Sequence, residues 1–164
     1  MSEPEILPPG RSRETKIRRD AEGRWFNDGV EVTHPKLARA FDCWLERAAD
    51  GRYCLRNAIN WAYVQVEGAP CFVRRVTPDD HGLQLHLSND TVTPLEPATL
   101  RQGPDGALYC DVPGDLVARF DRAAMMQLAE RLHEDEQGLF LDVGGRRVRP
   151  PIVQDPLARW HGSL

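Results

Sequence analysis

The stretch KIRRDAEGRWFNDGV (Lys16–Val30) decides the fold, because TLRQGPDGALYCDV (Thr99–Val112) follows the same plan. Each begins with a short strand-like run. Each then turns through four residues that end in a glycine, Gly23 or Gly106, and continues into an aromatic strand. Asp20-Ala-Glu-Gly23 and Asn27-Asp28-Gly29 are turn chemistry, since glycine takes positive φ cheaply and Asn and Asp tolerate it. The first stretch therefore reads as a small meander.

A helix is expected after each meander. In HPKLARAFDCWLER (His34–Arg47), Pro35 suits the first turn, with Thr33 or His34 beside the cap. Leu37, Phe41, Trp44, Leu45 and Ala48 then share one side at helical spacing. Asp50-Gly51 ends the helix, and RYCLR is the next strand. In the second copy Asp115, after Pro113-Gly114, is placed to cap a helix. Val117, Phe120, Ala124 and Leu128 would lie on one of its sides, extended to Leu132, which makes it the longer of the two. The echo of LARAFD (Leu37–Asp42) in VARFD (Val117–Asp121) supports the pairing.

Between the copies the chain reads as strands. AYVQVEG alternates, Gly68-Ala-Pro70 turns it, and CFVRRV returns. LQLHLS has the clearest alternation, with Leu83, Leu85 and Leu87 inward and Gln84, His86 and Ser88 outward. Pro94 and Pro97 confine the following stretch to a sheet edge or an irregular segment. After Gly138, LFLDV is a strand that Gly144-Gly145 turns into RRVR.

The expected fold class is α+β: two hairpin-helix-strand repeats with a β-rich middle, in mostly antiparallel sheets. The domain plan has a flexible N-terminal arm at residues 1–15 and a first unit at 16–58. A β-rich segment plus the second unit occupies 59–150, and a C-terminal tail or strap 151–164. Three prolines among residues 1–14 mark the arm. In the strap, Ile152, Leu157 and Trp160 are expected to dock on the body, since an exposed Trp is costly.

At 164 residues and a formal charge of −4, the chain is long enough for a substantial core and mildly acidic. It has neither an apolar leader nor an apolar run of about 20 residues. A bacterial cytoplasmic setting is expected, without membrane association. The four cysteines, Cys43, Cys54, Cys71 and Cys110, lack C-x-x-C and zinc-finger spacing. The three in strand-like runs read as buried thiols.

Catalytic chemistry finds little footing. His34 and Cys43 stand nine positions apart, which on one helix puts them about 13.5 Å apart along the axis and on opposite sides. A base must lie within about 3 Å of its nucleophile. Asp79, Asp80, His81 and His86 show no familiar metal-ligand spacing. Gly144-Gly145 fits a hairpin rather than a phosphate loop. The basic residues Arg11, Arg13, Lys16, Arg18 and Arg19, and Arg146, Arg147 and Arg149, read as solvated faces, so nucleic acid is not an expected partner. Asp42 and Asp121 each follow an aromatic residue at the same place in their copies. Such an Asp caps backbone or pairs with an arginine. Alternatively, the two border a cleft between the copies.

EGRWFNDG, the helix with Leu37, Phe41 and Leu45, DGRY and VEGAP together resemble the bacterial domain of unknown function 1285 family. The order matches from about Ile17 to Val143, most specifically at Gly23, Trp25, Phe26, Asp28 and Gly29. The resemblance implies an α+β fold with repeated motifs and a role in ligand binding or signalling. Asn89 matches a family asparagine. Two places depart from the pattern. Ala58-Ile59-Asn60-Trp61 stands where relatives carry Pro-Val-Glu-Lys, and Glu67-Gly68-Ala69-Pro70-Cys71 where they carry Glu-Asp-Ala-Pro-Phe.

The functional expectation is a regulatory or signalling-type protein that binds a small-molecule ligand or a protein partner, without catalysis, cofactor or metal. The candidate contacts are Trp25, Glu67 and Asn89, taken from the resemblance, and Arg74, a charge inside an apolar strand. Asp42 and Asp121 stand behind them. A small hydrolase or transferase is one alternative, a pure protein–protein interaction module the other.

Overall fold

The computed structural model describes residues 12–159. Most of the expected N-terminal arm, Arg11 and Trp160 lie outside that range. The chain forms two compact units that divide between Gly68 and Ala69. Most strand pairs are antiparallel. Among the described residues no helix is long and apolar enough to cross a membrane.

In the first unit β1 (Ile17–Arg19) pairs antiparallel with β2 (Trp25–Asn27), which carries β3 (Val30–Glu31). The β2–β3 loop is Asp28-Gly29, and both residues have positive φ, at 52° and 82°. Two left-handed residues give this tight loop the twist that flanking strands require. Helix α1 (Pro35–Trp44) follows, then β4 (Leu45–Arg47), β5 (Tyr53–Arg56) and β6 (Trp61–Tyr63) in one antiparallel sheet. β7 (Gln65–Val66) returns to lie parallel to β1. Trp25, Phe41, Leu45, Leu55 and Val64 form the core, and the Trp25 and Phe41 rings meet edge to face at 5.3 Å. Residues 13–15 are pinned along β6, where Arg13 donates to the Trp61 carbonyl and the Thr15 hydroxyl to that of Tyr63.

The second unit holds a six-stranded sheet. Its members are β8 (Cys71–Pro78), β9 (Leu83–Leu87), β10 (Val92–Pro94), β11 (Arg101–Gln102), β12 (Leu108–Val112) and β13 (Leu116–Phe120). They lie in the order β10-β9-β8-β13-β12-β11, with β8 and β13 parallel. Helix α2 (Arg122–Leu128) leads through one 3₁₀ turn into a sheet of β14 (Leu132–Asp135), β15 (Gly138–Val143) and β16 (Arg146–Val148).

Three local expectations are corrected. The first helix stops at Trp44: Leu45 is extended at φ −68°, ψ 125° and pairs with Leu55. Leu45 and Ala48 are buried from a strand and its turn, while Leu37 is 42% exposed. In the second copy, residues 117–120 form β13, not a helix. Held between β12 and β8, that run is covered on both faces and loses the alternation that marks a half-buried strand. Asp121, not Asp115, is the cap, and α2 has 7 residues against the 10 of α1. Finally, AYVQVEG and CFVRRV make no hairpin, because β7 pairs with β1 and β8 with β9 and β13.

The β1–β2 and β11–β12 hairpins share one frame. Asp20 and Gly23 close the first turn, with the Asp20 amide donating to the Arg24 carbonyl. Gly103 and Gly106 close the second, with the Gly103 amide donating to that of Ala107. On its outer edge each hairpin takes a parallel segment: Val66 against Arg19, and Ile152 against Gln102. The Glu67 amide donates to the Arg19 carbonyl and the Val153 amide to that of Gln102. The described part of the strap therefore docks, but by backbone: the Ile152 side chain is 72% exposed and Leu157 half-buried.

Candidate functional site

The expected contact residues fall into local clusters. In the first unit Asp42, on α1, accepts from the Trp25 indole and from Arg19, each at 2.8 Å and through Oδ1. Arg19 is fully buried. A guanidinium removed from water needs a carboxylate and hydrogen bonds, and one Asp supplies both here while fixing the tryptophan. Glu67 is held elsewhere, 3.4 Å from the guanidinium of Arg18.

In the second unit Asp121 caps α2 by accepting from the Ala124 amide at 2.9 Å, and its other oxygen lies 3.5 Å from Arg74. A bulge between Val73 and Arg75 explains why a charged residue interrupts an apolar strand: both Arg74 and Arg75 are exposed. Asn89 shapes the turn after β9, accepting from the amide and the hydroxyl of Thr91.

The reactive residue types are dispersed. Cys43 is exposed on α1, while Cys54, Cys71 and Cys110 are buried. Burial pushes the Cys110 thiol strongly up, which holds it in the non-nucleophilic form. His86 touches Arg75 through one ring nitrogen and Thr77 through the other. Asp79 accepts from the amides of His81 and Gly82. No group of three or more metal-ligating side chains is present among the described residues.

Arg13 and Arg19, expected on a solvated basic face, are buried, and so is Arg101, which no local pattern marks. Arg101 is fully buried. Its Nη1 donates to Asp111 Oδ1 at 2.9 Å and to the Thr99 carbonyl at 2.8 Å. Its Nε and Nη2 reach the Pro156 carbonyl at 3.0 and 2.7 Å, and Nη2 also reaches that of Ala158 at 2.8 Å. All five N–H donors of the fork are thus used. Arg159 stands beside them. Its Nη1 donates to the carbonyls of Val112 at 2.8 Å and Leu116 at 3.2 Å, and its Nε lies 3.4 Å from Asp115. One signal for this cluster was present. The turn in PGD follows Asp111 by one residue, so this Asp must lie inside a strand that is otherwise apolar or aromatic.

Over the cluster opens a concavity of about 310 Å³, lined by Thr93, Glu96, Thr99, Asp111, Val112 and Arg159 among others. Glu96 is exposed on its rim, with no ion-pair partner among the described residues. The Thr99 hydroxyl donates to the Glu96 carbonyl and accepts from the Asp111 amide. A second hollow of about 260 Å³ lies against Val76, Leu83, Gln127 and Arg131.

Two solved structures share this fold. One is a DUF1285 family protein from Silicibacter pomeroyi DSS-3, at TM-score 0.63 and 20% identity, covering 82% of this chain and 78% of that one. The other is a DUF1285 family protein from Shewanella baltica OS155, at TM-score 0.58 and 22% identity, covering 73% of this chain and 94% of that one. No protein-family model matches the chain, and no curated protein does. At these identities the likeness carries the fold, and it falls on the same bacterial family that the Gly23–Gly29 stretch resembles.

Proposed function

We propose that this chain is a DUF1285-like bacterial protein of a regulatory, signalling type, working in the cytoplasm, which takes a small polar ligand in the concavity over Asp111. The observation that carries the reading is that hollow itself. Its volume of about 310 Å³ stands at the lower end of ligand pockets. Its lining includes Asp111, fixed by its ion pair with Arg101, together with Thr93, Glu96 and Thr99. Such walls suit a ligand rich in hydrogen-bond donors, an amine or a polyol.

Recognition without bond-making is supported by the buried, neutral Cys110 thiol and by the structural use of Asp42 and Asp121. Glu67 in the first unit and Arg74 and Asn89 in the second stay proposed contacts outside the concavity, while Trp25 and Asp42 hold each other and Asp121 holds α2 and Arg74. The shared frame of the two hairpins supports a scaffold built from one duplicated unit. A protein-partner reading draws on edge strand β10, where Val92 is 56% exposed.

A thermal-shift panel of amines, polyols and nucleosides tests the ligand reading. A binder at 100 times its dissociation constant adds about 2.7 kcal/mol of stability. The expected result is a shift that Glu96→Ala removes without lowering the melting temperature of the ligand-free protein. A panel without shifts, or a shift indifferent to Glu96→Ala, refutes it.

A further inference from the structure

Residues 151–153 lie along the outer edge of β11, and the turn that follows them carries the chain to Arg159. Four observations converge there. The strap pairs with Gln102 as a parallel strand would, receiving the Gln102 amide on the Pro151 carbonyl and giving the Val153 amide to the Gln102 carbonyl. Two strap carbonyls, of Pro156 and Ala158, converge on the buried Arg101. Arg159 plugs a socket made by two more carbonyls and Asp115. Gly103 leaves room for the strap: a methyl group there would stand 3.0 Å from Pro156 Cγ and 2.9 Å from the Tyr109 ring.

These contacts are nearly all polar. Within 151–159 Pro156 alone is buried, and Ile152 is turned out to solvent. A segment held by few apolar contacts opens far more readily than the core. Yet opening strips partners from three of the five bonds that Arg101 makes, and a buried guanidinium without partners is costly. The edge therefore tolerates exchange of its occupant much better than vacancy.

We propose that the strap is an exchangeable cis occupant, displaced by a partner protein that presents a segment of the same chemistry: a short extended stretch like residues 151–153, followed by a turn like residues 155–158. That segment offers carbonyls two residues apart for Arg101 and an arginine three residues beyond a proline, as in Pro156–Arg159. Recognition combines a short β-bridge, as at Ile152, with a turn that presents its carbonyls to Arg101 and with one arginine anchor. It does not depend on the concavity holding a ligand, although Arg159 lines both.

The test is fluorescence anisotropy on the full-length chain with a labelled, amidated peptide PPIVQDPLAR, identical to residues 150–159. Apparent affinity is reduced by the fraction of chains whose own strap is closed. The Arg159→Ala chain, with a weakened strap, is expected to bind the peptide about 10-fold more tightly than the unmodified chain. The same peptide with alanine for its arginine is expected to bind both chains at least about 10-fold more weakly. Amide exchange of residues 152–155, 157 and 158 should also run ahead of that of β12 and β13. Equal affinity of the two chains, an indifferent arginine on the peptide, or strap amides that exchange only with the core would overturn the proposal. So would a dimer formed by exchange of straps, which puts a second copy in the partner's place. Glu96→Ala leaves peptide binding intact, which separates this outcome from the fate of the ligand reading.

Discussion

Arg19 and Arg101 lie in hairpins of one frame, both fully buried, yet they are neutralised in different ways. Arg19 directly precedes the turn and is met by Asp42, from the helix that follows its own hairpin, and by the face of Trp25 at 5.4 Å. Arg101 stands one residue further from its turn. Successive strand residues point to opposite faces, so it addresses the other side of its hairpin. There it is met by Asp111, on the adjacent strand, and by carbonyls of the strap. The first guanidinium is closed by core side chains that cannot leave without unfolding their unit. The second is closed in part by a segment that can.

The largest expected effect tests the closed half. Asp42→Ala removes the carboxylate from a fully buried arginine and the acceptor from the Trp25 indole. Breaking such a pair from one side costs about 3–5 kcal/mol. Chemical denaturation should show the loss, and Asp42→Asn, which keeps an acceptor oxygen, should lose less. If Asp42→Ala unfolds at the unmodified midpoint, the first guanidinium is not closed as described and the contrast fails.

The two hairpins and their glycine turns were legible because turn chemistry is local: Gly23, Asp28, Gly29 and Gly106 declare themselves within four residues. The leucines of β9 were legible by alternation. Residues 117–120 read as helix because a strand covered on both faces loses its period, and Val117, Phe120, Ala124 and Leu128 match helical spacing while bridging two elements. The polar site was least legible. Arg101 and Asp111 are ten positions apart, and the strap that completes them comes 55 residues after Arg101. No local pattern records such a meeting. Trp25 and Asp42, both expected contacts of a ligand, bond to each other.

The helix caps sharpen the comparison at a smaller scale. Asp121 accepts from the Ala124 amide at the start of α2, whereas His34, at the same place before α1, makes no side-chain cap bond. Replacing a bonded Asp cap by alanine costs about 1 kcal/mol. Asp121→Ala should therefore lower the denaturation midpoint, and it also frees Arg74. His34→Ala should leave the midpoint unchanged within error. Equal losses from both would mean that α1 is capped by a contact other than the backbone geometry describes.

The smallest effect concerns the route into the strap. Arg149, just before Pro150, grips Asp135 across the β14–β16 sheet, with Nη1 donating to Oδ1 and Nη2 to Oδ2. The bond from Arg149 holds the Asp135 carboxyl well below its ordinary value, at about 2. A carboxyl depressed on folding contributes stability that is fully present above its unfolded pKa, near 3.9, and is lost as pH falls through the folded value. Between pH 4 and 2 the tie should loosen. Both groups are half-buried at the surface, so salt still screens them and the global cost stays slight. The measurable consequence is local: amide exchange of residues 146–158, corrected for intrinsic rates, should quicken over that interval ahead of β1 and β2. Asp135→Asn should abolish the difference by fixing the weakened tie at every pH. If β1 and β2 respond first, the detachable segment is not the looser half of the contrast.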